Sequence, residues 1–187
     1  MVIDVHGHFI PQLKYEDSKM LFSDVGSNGL PIKGTMFTEY DNGLINVEKQ
    51  ISDMDEAGID FRVLSLVPFL FYYELEPNRT ILWSKAINDQ MYKDIHCYSS
   101  RILGLATLPM NSIEDACHEL ERTMNEYNFI GAQIATNING IELDDKSLYP
   151  FWETAEKTGA FILLHPHYTI GEERLGNFHL RNIVGNP

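Results

Sequence analysis

The feature that most constrains the fold is an alternation. Short, nearly continuous apolar runs give way, at roughly thirty-residue spacing, to segments with helical periodicity. The runs are Val2–Phe9, Asp60–Val67 closed by Pro68, Arg101–Leu108 closed by Pro109, Ile130–Ala135, and Ala160–Leu164 leading into His165-Pro166-His167. Between them, Val47, Ile51 and Met54 mark one helix face, with Gly58 as its C-terminal stop. Thr80 is placed to cap a helix whose inner face is Trp83, Ala86, Ile87, Met91, Ile95 and Tyr98. Ser112 and Asp115 resemble a capping box with Asp in place of Glu, opening a helix with Ile113, Ala116, Cys117, Leu120 and Met124 inward. A last helix is predicted over 147–158, with Leu148, Trp152 and Ala155 inward and Gly159 past its end. Strands this apolar are covered on both faces, and strand–helix–strand repeats build a parallel sheet. Such a sheet is either open and doubly wound or closed into a barrel of eight units. The open form usually carries a glycine-rich phosphate loop after its first strand. This first strand instead contains His6-Gly7-His8, which matches neither G-x-G-x-x-G nor a Walker pattern. The expected fold is therefore an α/β barrel.

Within the first run, Asp4, His6 and His8 fall at period 2, so they should project from one face while Ile3 and Val5 project from the other. Alternate strand residues sit about 6.6 Å apart along the rise. Two imidazoles at that separation can tilt toward one metal ion beyond the strand end. The plainer reading is an exposed edge strand that carries two histidines. His165, at the end of the fifth run, bears on the choice. Barrel enzymes collect functional residues at the C-terminal ends of strands, so His6, His8 and His165 would face one mouth as metal ligands. Asp4 is a ligand, a partner that orients His6, or a carboxylate bonded to backbone. His167 and Asn137 are candidates for touching substrate, although a solvated loop and ordinary turn chemistry explain them equally well. His96 and His118 fall mid-helix and read as surface residues.

The 187 residues read as one domain over 1–187. A polar, glycine-rich stretch over 11–45 shows no sustained period, and loops of that length are most often lids or binding loops. A functionless insertion is the alternative. The balance of 14 basic against 27 acidic residues gives a net charge of −13. With no basic cluster to offset it, a nucleic-acid partner is disfavoured. No apolar run reaches the roughly 18–20 residues that span a bilayer, and the opening lacks the regions of a signal peptide. Cys97 and Cys117 have no partner spacing, so neither a disulfide framework nor a zinc ribbon is indicated. A cytoplasmic protein with a small-molecule substrate, and with no membrane partner, is expected.

Four segments together carry a family likeness: Asp4-Val5-His6-Gly7-His8, Met54-Asp55-Glu56-Ala57-Gly58-Ile59-Asp60, Arg101-Ile102-Leu103-Gly104-Leu105-Ala106-Thr107-Leu108-Pro109 and Leu163-Leu164-His165-Pro166. They resemble the amidohydrolase-related superfamily, and most of all its 2-amino-3-carboxymuconate-6-semialdehyde decarboxylase branch. The resemblance implies a distorted (β/α)8 TIM barrel of the metal-dependent hydrolase type, with one divalent metal, usually zinc. It assigns His6, His8 and His165 as ligands, and implies a metal-activated water that attacks an amide, ester or lactone, or adds ahead of decarboxylation. It also implies a homodimer. Two departures stand out. The branch places a carboxylate-binding Arg before the first helix, whereas the segment from Thr35 to Asn46 has no Arg or Lys and carries Glu39 and Asp41. His167 stands where the branch tends to have an aromatic residue. Only about the first five βα units are present, so the strand-six His and strand-eight Asp of the family are not in this chain, and a truncated barrel is expected. Two functions compete: a metal-dependent hydrolase or decarboxylase acting through a metal-activated water on a small organic molecule, carboxylated or not, and a non-catalytic remnant that retains at most metal or small-molecule binding.

Overall fold

Each of the five apolar runs forms a strand. In the computed structural model, which describes residues 1–13, 42–167, 172–178 and 180–185, they are β1 (Ile3–Phe9), β2 (Phe61–Leu66), β3 (Ile102–Thr107), β4 (Gly131–Ala135) and β7 (Phe161–His165). All pair in parallel, in the order β1-β2-β3-β4-β7. The sheet curls into half of a barrel, as the alternation led one to expect. Most of the 11–45 stretch, with Glu39 and Asp41, lies outside the described residues, as does His179. Among the described residues, no helix is long and apolar enough to cross a membrane.

The helices are α1 (Asn42–Ile45), α2 (Val47–Ala57), α3 (Pro77–Ile95), α4 (Ile113–Tyr127) and α5 (Tyr149–Thr158). The short α1 falls inside the stretch expected to be loop. Asn46 caps α2 by accepting from the Lys49 N–H at 2.9 Å, and Gly58 ends it in the left-handed conformation, φ 67°. Two helix starts differ from expectation. Thr80 does not cap α3, which begins three residues earlier at Pro77, where a missing N–H costs nothing and φ is preset. The Thr80 hydroxyl is buried and donates instead to the Tyr72 carbonyl. At α4, the Ser112 hydroxyl bonds the Asp115 carboxylate rather than a backbone N–H.

A further difference follows β4. Around Asn137, where ordinary turn chemistry is one reading of the sequence, the chain forms a small antiparallel hairpin, β5 (Asn137–Ile138) with β6 (Ile141–Glu142). Asn139 and Gly140, at φ 51° and 84°, form its two-residue turn. The core lies between sheet and helices. Leu64, Ala106 and Ile134 from the strands pack with Met54, Leu120 and Phe151 from the helices, all fully buried. Among the described residues, the outer strands β1 and β7 each pair on one side. Val5 and Leu164 on them are 51% and 46% exposed.

Candidate metal centre

A register shift in β1 decides where its polar residues point. Asp4 pairs with Arg62 and Gly7 with Leu64, so Val5 and His6 together stand opposite Val63. This β-bulge inserts one residue and breaks the strict alternation read from the sequence. The expectation that Asp4 shares the histidines' face is thereby corrected. Asp4 keeps the face of Arg62, with which it pairs at 2.8 Å, and Arg62 in turn bonds Gln50 on α2. His8, which pairs with Ser65, takes the opposite, inner face. Gly7 makes the close approach feasible, because a Cβ there would lie 2.8 Å from Leu64 Cδ2 and 2.9 Å from Arg62 Cδ. The Ser65 hydroxyl also holds the bulge, donating to the Gly7 carbonyl at 3.3 Å.

The structure brings three predicted ligands together. His6, His8 and His165 each offer a nitrogen, and these nitrogens all lie within 4.8 Å of one another. The Nε2 atoms of His6 and His8 are 3.2 Å apart. The His165 ring centroid lies 5.0 Å from that of His6 and 5.2 Å from that of His8. These residues sit on the two edge strands of the sheet. Laid flat, strands four spacings apart would be about 19 Å from one another. Curling is what closes that gap.

The electrostatics favour neutral rings at His8 and His165. Burial is the largest cause that lowers the His8 pKa from 6.5 to about 4, and the neighbouring His6 and His165 add to it, while backbone groups of Ser65 and Leu66 oppose it. Burial likewise lowers the His165 pKa, with His6 contributing and a backbone bond to Pro166 opposing. The His165 Nδ1 lies 2.8 Å from the Pro166 carbonyl. Donation there fixes the tautomer and leaves the Nε2 lone pair free to ligate. A tetrahedral centre with nitrogen bonds of 2.0–2.1 Å has ligand atoms about 3.3 Å apart, close to the His6–His8 separation of 3.2 Å. The donor set therefore fits a divalent cation.

Around this cluster, Asn137 is buried; its Nδ2 donates to the His167 carbonyl at 3.1 Å and its Oδ1 accepts from the Gly140 N–H. His167 meets Phe71 edge-on, at a centroid distance of 5.6 Å. His96 and His118 are exposed. Gln50 and Arg62 escaped the sequence reading. Arg62, a charge inside an otherwise apolar run, was a visible signal; Gln50 gave none.

Comparison with known proteins bears on the family and the fold. The profile of the family described as Amidohydrolase matches residues 3–183. The chain is 31% identical over 195 aligned residues to the 2-amino-3-carboxymuconate-6-semialdehyde decarboxylase of Dictyostelium discoideum, covering 99% of this chain and 54% of that protein. It is 30% identical over 129 residues to the gamma-resorcylate decarboxylase of Polaromonas sp., covering 64% of this chain and 38% of that protein. The crystal structure of a dihydroxybenzoic acid decarboxylase from Polaromonas sp., with bound manganese and the inhibitor 2-nitroresorcinol, superposes with a TM-score of 0.72 at 24% identity, over 95% of this chain and 53% of that one. The 5-carboxyvanillate decarboxylase of Sphingomonas paucimobilis gives a TM-score of 0.76 at 18% identity, over 96% and 56%. At these identities the solved structures establish the fold alone. The chain spans about half the length of the curated 2-amino-3-carboxymuconate-6-semialdehyde decarboxylase from Dictyostelium. With residues 3–183 of its 187 matched by the family profile and its strands in the same half-barrel, this chain belongs to the amidohydrolase family.

Proposed function

We propose that this chain carries the three-imidazole part of a divalent metal centre, and that the function it serves is metal-dependent decarboxylation of a small, carboxylated organic molecule. The observation that carries the reading is the meeting of His6, His8 and His165 from opposite edges of one sheet. The relatives named above, all decarboxylases, favour loss of carbon dioxide over hydrolysis. Neutral imidazoles are borderline-soft donors, which favours zinc over harder cations; manganese is bound in the Polaromonas structure.

A divalent cation held there acts as a Lewis acid toward water or a substrate oxygen. The protein's own part begins with lone pairs. Burial keeps His8 unprotonated at neutral pH, and it favours the neutral form of His165 in the same way. The backbone bond from Nδ1 orients the His165 ring. Asn137 fixes the peptide of His167, and we assign both to the substrate side of the mouth. The acid–base step is assigned to none of these residues.

Metal analysis of the purified chain tests the proposal. About one equivalent of zinc or manganese, lost in the His6→Ala/His8→Ala variant, is the expected result. Absence of metal from the wild-type chain after loading would reject the centre. Carbon dioxide release, measured on aromatic and unsaturated carboxylic acids beside a panel of lactones, separates decarboxylation from hydrolysis.

A further inference from the structure

We propose that Asp4, Arg62 and Gln50 are positioning residues for the three-histidine centre, acting through the peptide groups of His6 and His8 rather than through their rings. This rests on the metal reading given above.

A β-bulge takes peptide groups out of the regular ladder, and groups left without a partner are costly. The three side chains link the bulged His6 peptide to that of His8, which is back in register with Ser65. Asp4 Oδ1 accepts from the His6 N–H at 3.2 Å, and Asp4 Oδ2 accepts from Arg62 Nε at 2.8 Å. Arg62 Nη1 then donates to Gln50 Oε1. Gln50 Nε2 closes the path, donating to the His8 carbonyl at 3.1 Å and to the Gly43 carbonyl at 2.6 Å. One polar chain thus leaves β1 at the N–H of one candidate ligand and returns to it at the C=O of the next.

Its members are well placed to resist movement. The Gln50 residue is 6% exposed, while the Arg62 and Asp4 side chains are 15% and 28% exposed. The chain crosses from β1 to β2 and then to α2, so the bulge is referenced to two elements with buried packing of their own, through Leu64 and Met54. It also lies on the sheet face away from His8, so none of the three competes for a cation. Arg62 suits the middle position because its planar fork presents donors in fixed directions to an acceptor on either side. Partners that orient ligands from outside the donor set are typically worth about ten- to a hundred-fold in metal affinity.

The test compares wild type with Gln50→Met, which keeps the side-chain length but drops both carbonyl bonds. Asp4→Asn is the second variant; it keeps an acceptor for the His6 N–H but weakens the tie to Arg62. Cobalt(II) is the probe, read by binding titration and by the visible absorption of the bound ion, alongside the melting temperature of metal-free protein. The expected result is about ten-fold or greater weakening in Gln50→Met, with a changed cobalt spectrum, and a smaller loss in Asp4→Asn. If both variants bind cobalt with wild-type affinity and spectrum, whatever their melting temperatures, the positioning role is overturned and the metal centre stands. Failure of the wild-type chain to bind cobalt overturns both.

Discussion

His8 is the side chain on which the chemistry of the site turns. Its pKa is lowered from 6.5 to about 4, chiefly by burial and then by His6 and His165. A histidine depressed in the folded state binds its proton more readily when the chain is unfolded. Folding therefore loses stability as pH falls from about 6.5, and the loss is complete below about 4. Above 6.5 the effect is absent, since both states are then neutral at this position. We expect the urea midpoint of metal-free wild type, relative to a His8→Gln variant, to fall progressively across that window. The difference isolates His8 from carboxylates that titrate nearby. A difference that stays flat between pH 7 and pH 4 would show that the ring is solvated and ordinary. Asp4, by contrast, has no part in the cluster of imidazole nitrogens. An alternating sequence cannot reveal a bulge, because the register of β1 is fixed against the distant strand β2, which alternation does not encode.

At the level of elements, the pairing of β4 with β7 has the least room for error, because β7 delivers His165. Gly131 pairs with Phe161 at φ 152°, and a Cβ there would lie 1.9 Å from the Phe161 carbonyl oxygen. Both partners are backbone, so no rotamer relieves the contact. Gly131→Ala should cost roughly 3 kcal/mol or more. Gly140→Ala, at φ 84° but with nothing within 4 Å of the added atom, should cost only about 1 kcal/mol. Denaturant unfolding of the two variants checks the contrast, and equal losses would contradict it. The strands themselves were legible because burial on both faces writes continuous apolar runs, and Gly58 and Gly159 marked helix ends through their left-handed conformation. The β5–β6 hairpin was overlooked because two-residue strands carry no period, although Asn139-Gly140 is a strong turn signal. Thr80 misled because a buried hydroxyl and a cap look alike in sequence, and Pro77 was the stronger start signal.

For the molecule as a whole, the candidate centre joins parts that no backbone ladder connects. Among the described residues, β1 and β7 are the outermost strands of the sheet and pair with β2 and β4 respectively. Their histidine rings nevertheless stand 5.0 Å apart. A cation bound there would tie the two outer strands across the mouth of the curl, adding a long-range link between β1 and β7. The sequence could announce the ligands but not this linkage, since the curvature that closes the gap arises from summed strand twist and from helix packing. Binding that favours the folded state alone stabilises it by about 2.7 kcal/mol at a hundred-fold excess over Kd. The gain should not be spread evenly. Edge strands open locally at lower free energy than central ones, so zinc should slow amide exchange most in β1 and β7 and least in β3, whose residues are already buried between neighbours. Hydrogen–deuterium exchange with and without zinc measures this directly. Protection that rises in β1 and not in β7 would mean that His165 takes no part in binding, and the centre would reduce to a two-histidine site on a single strand.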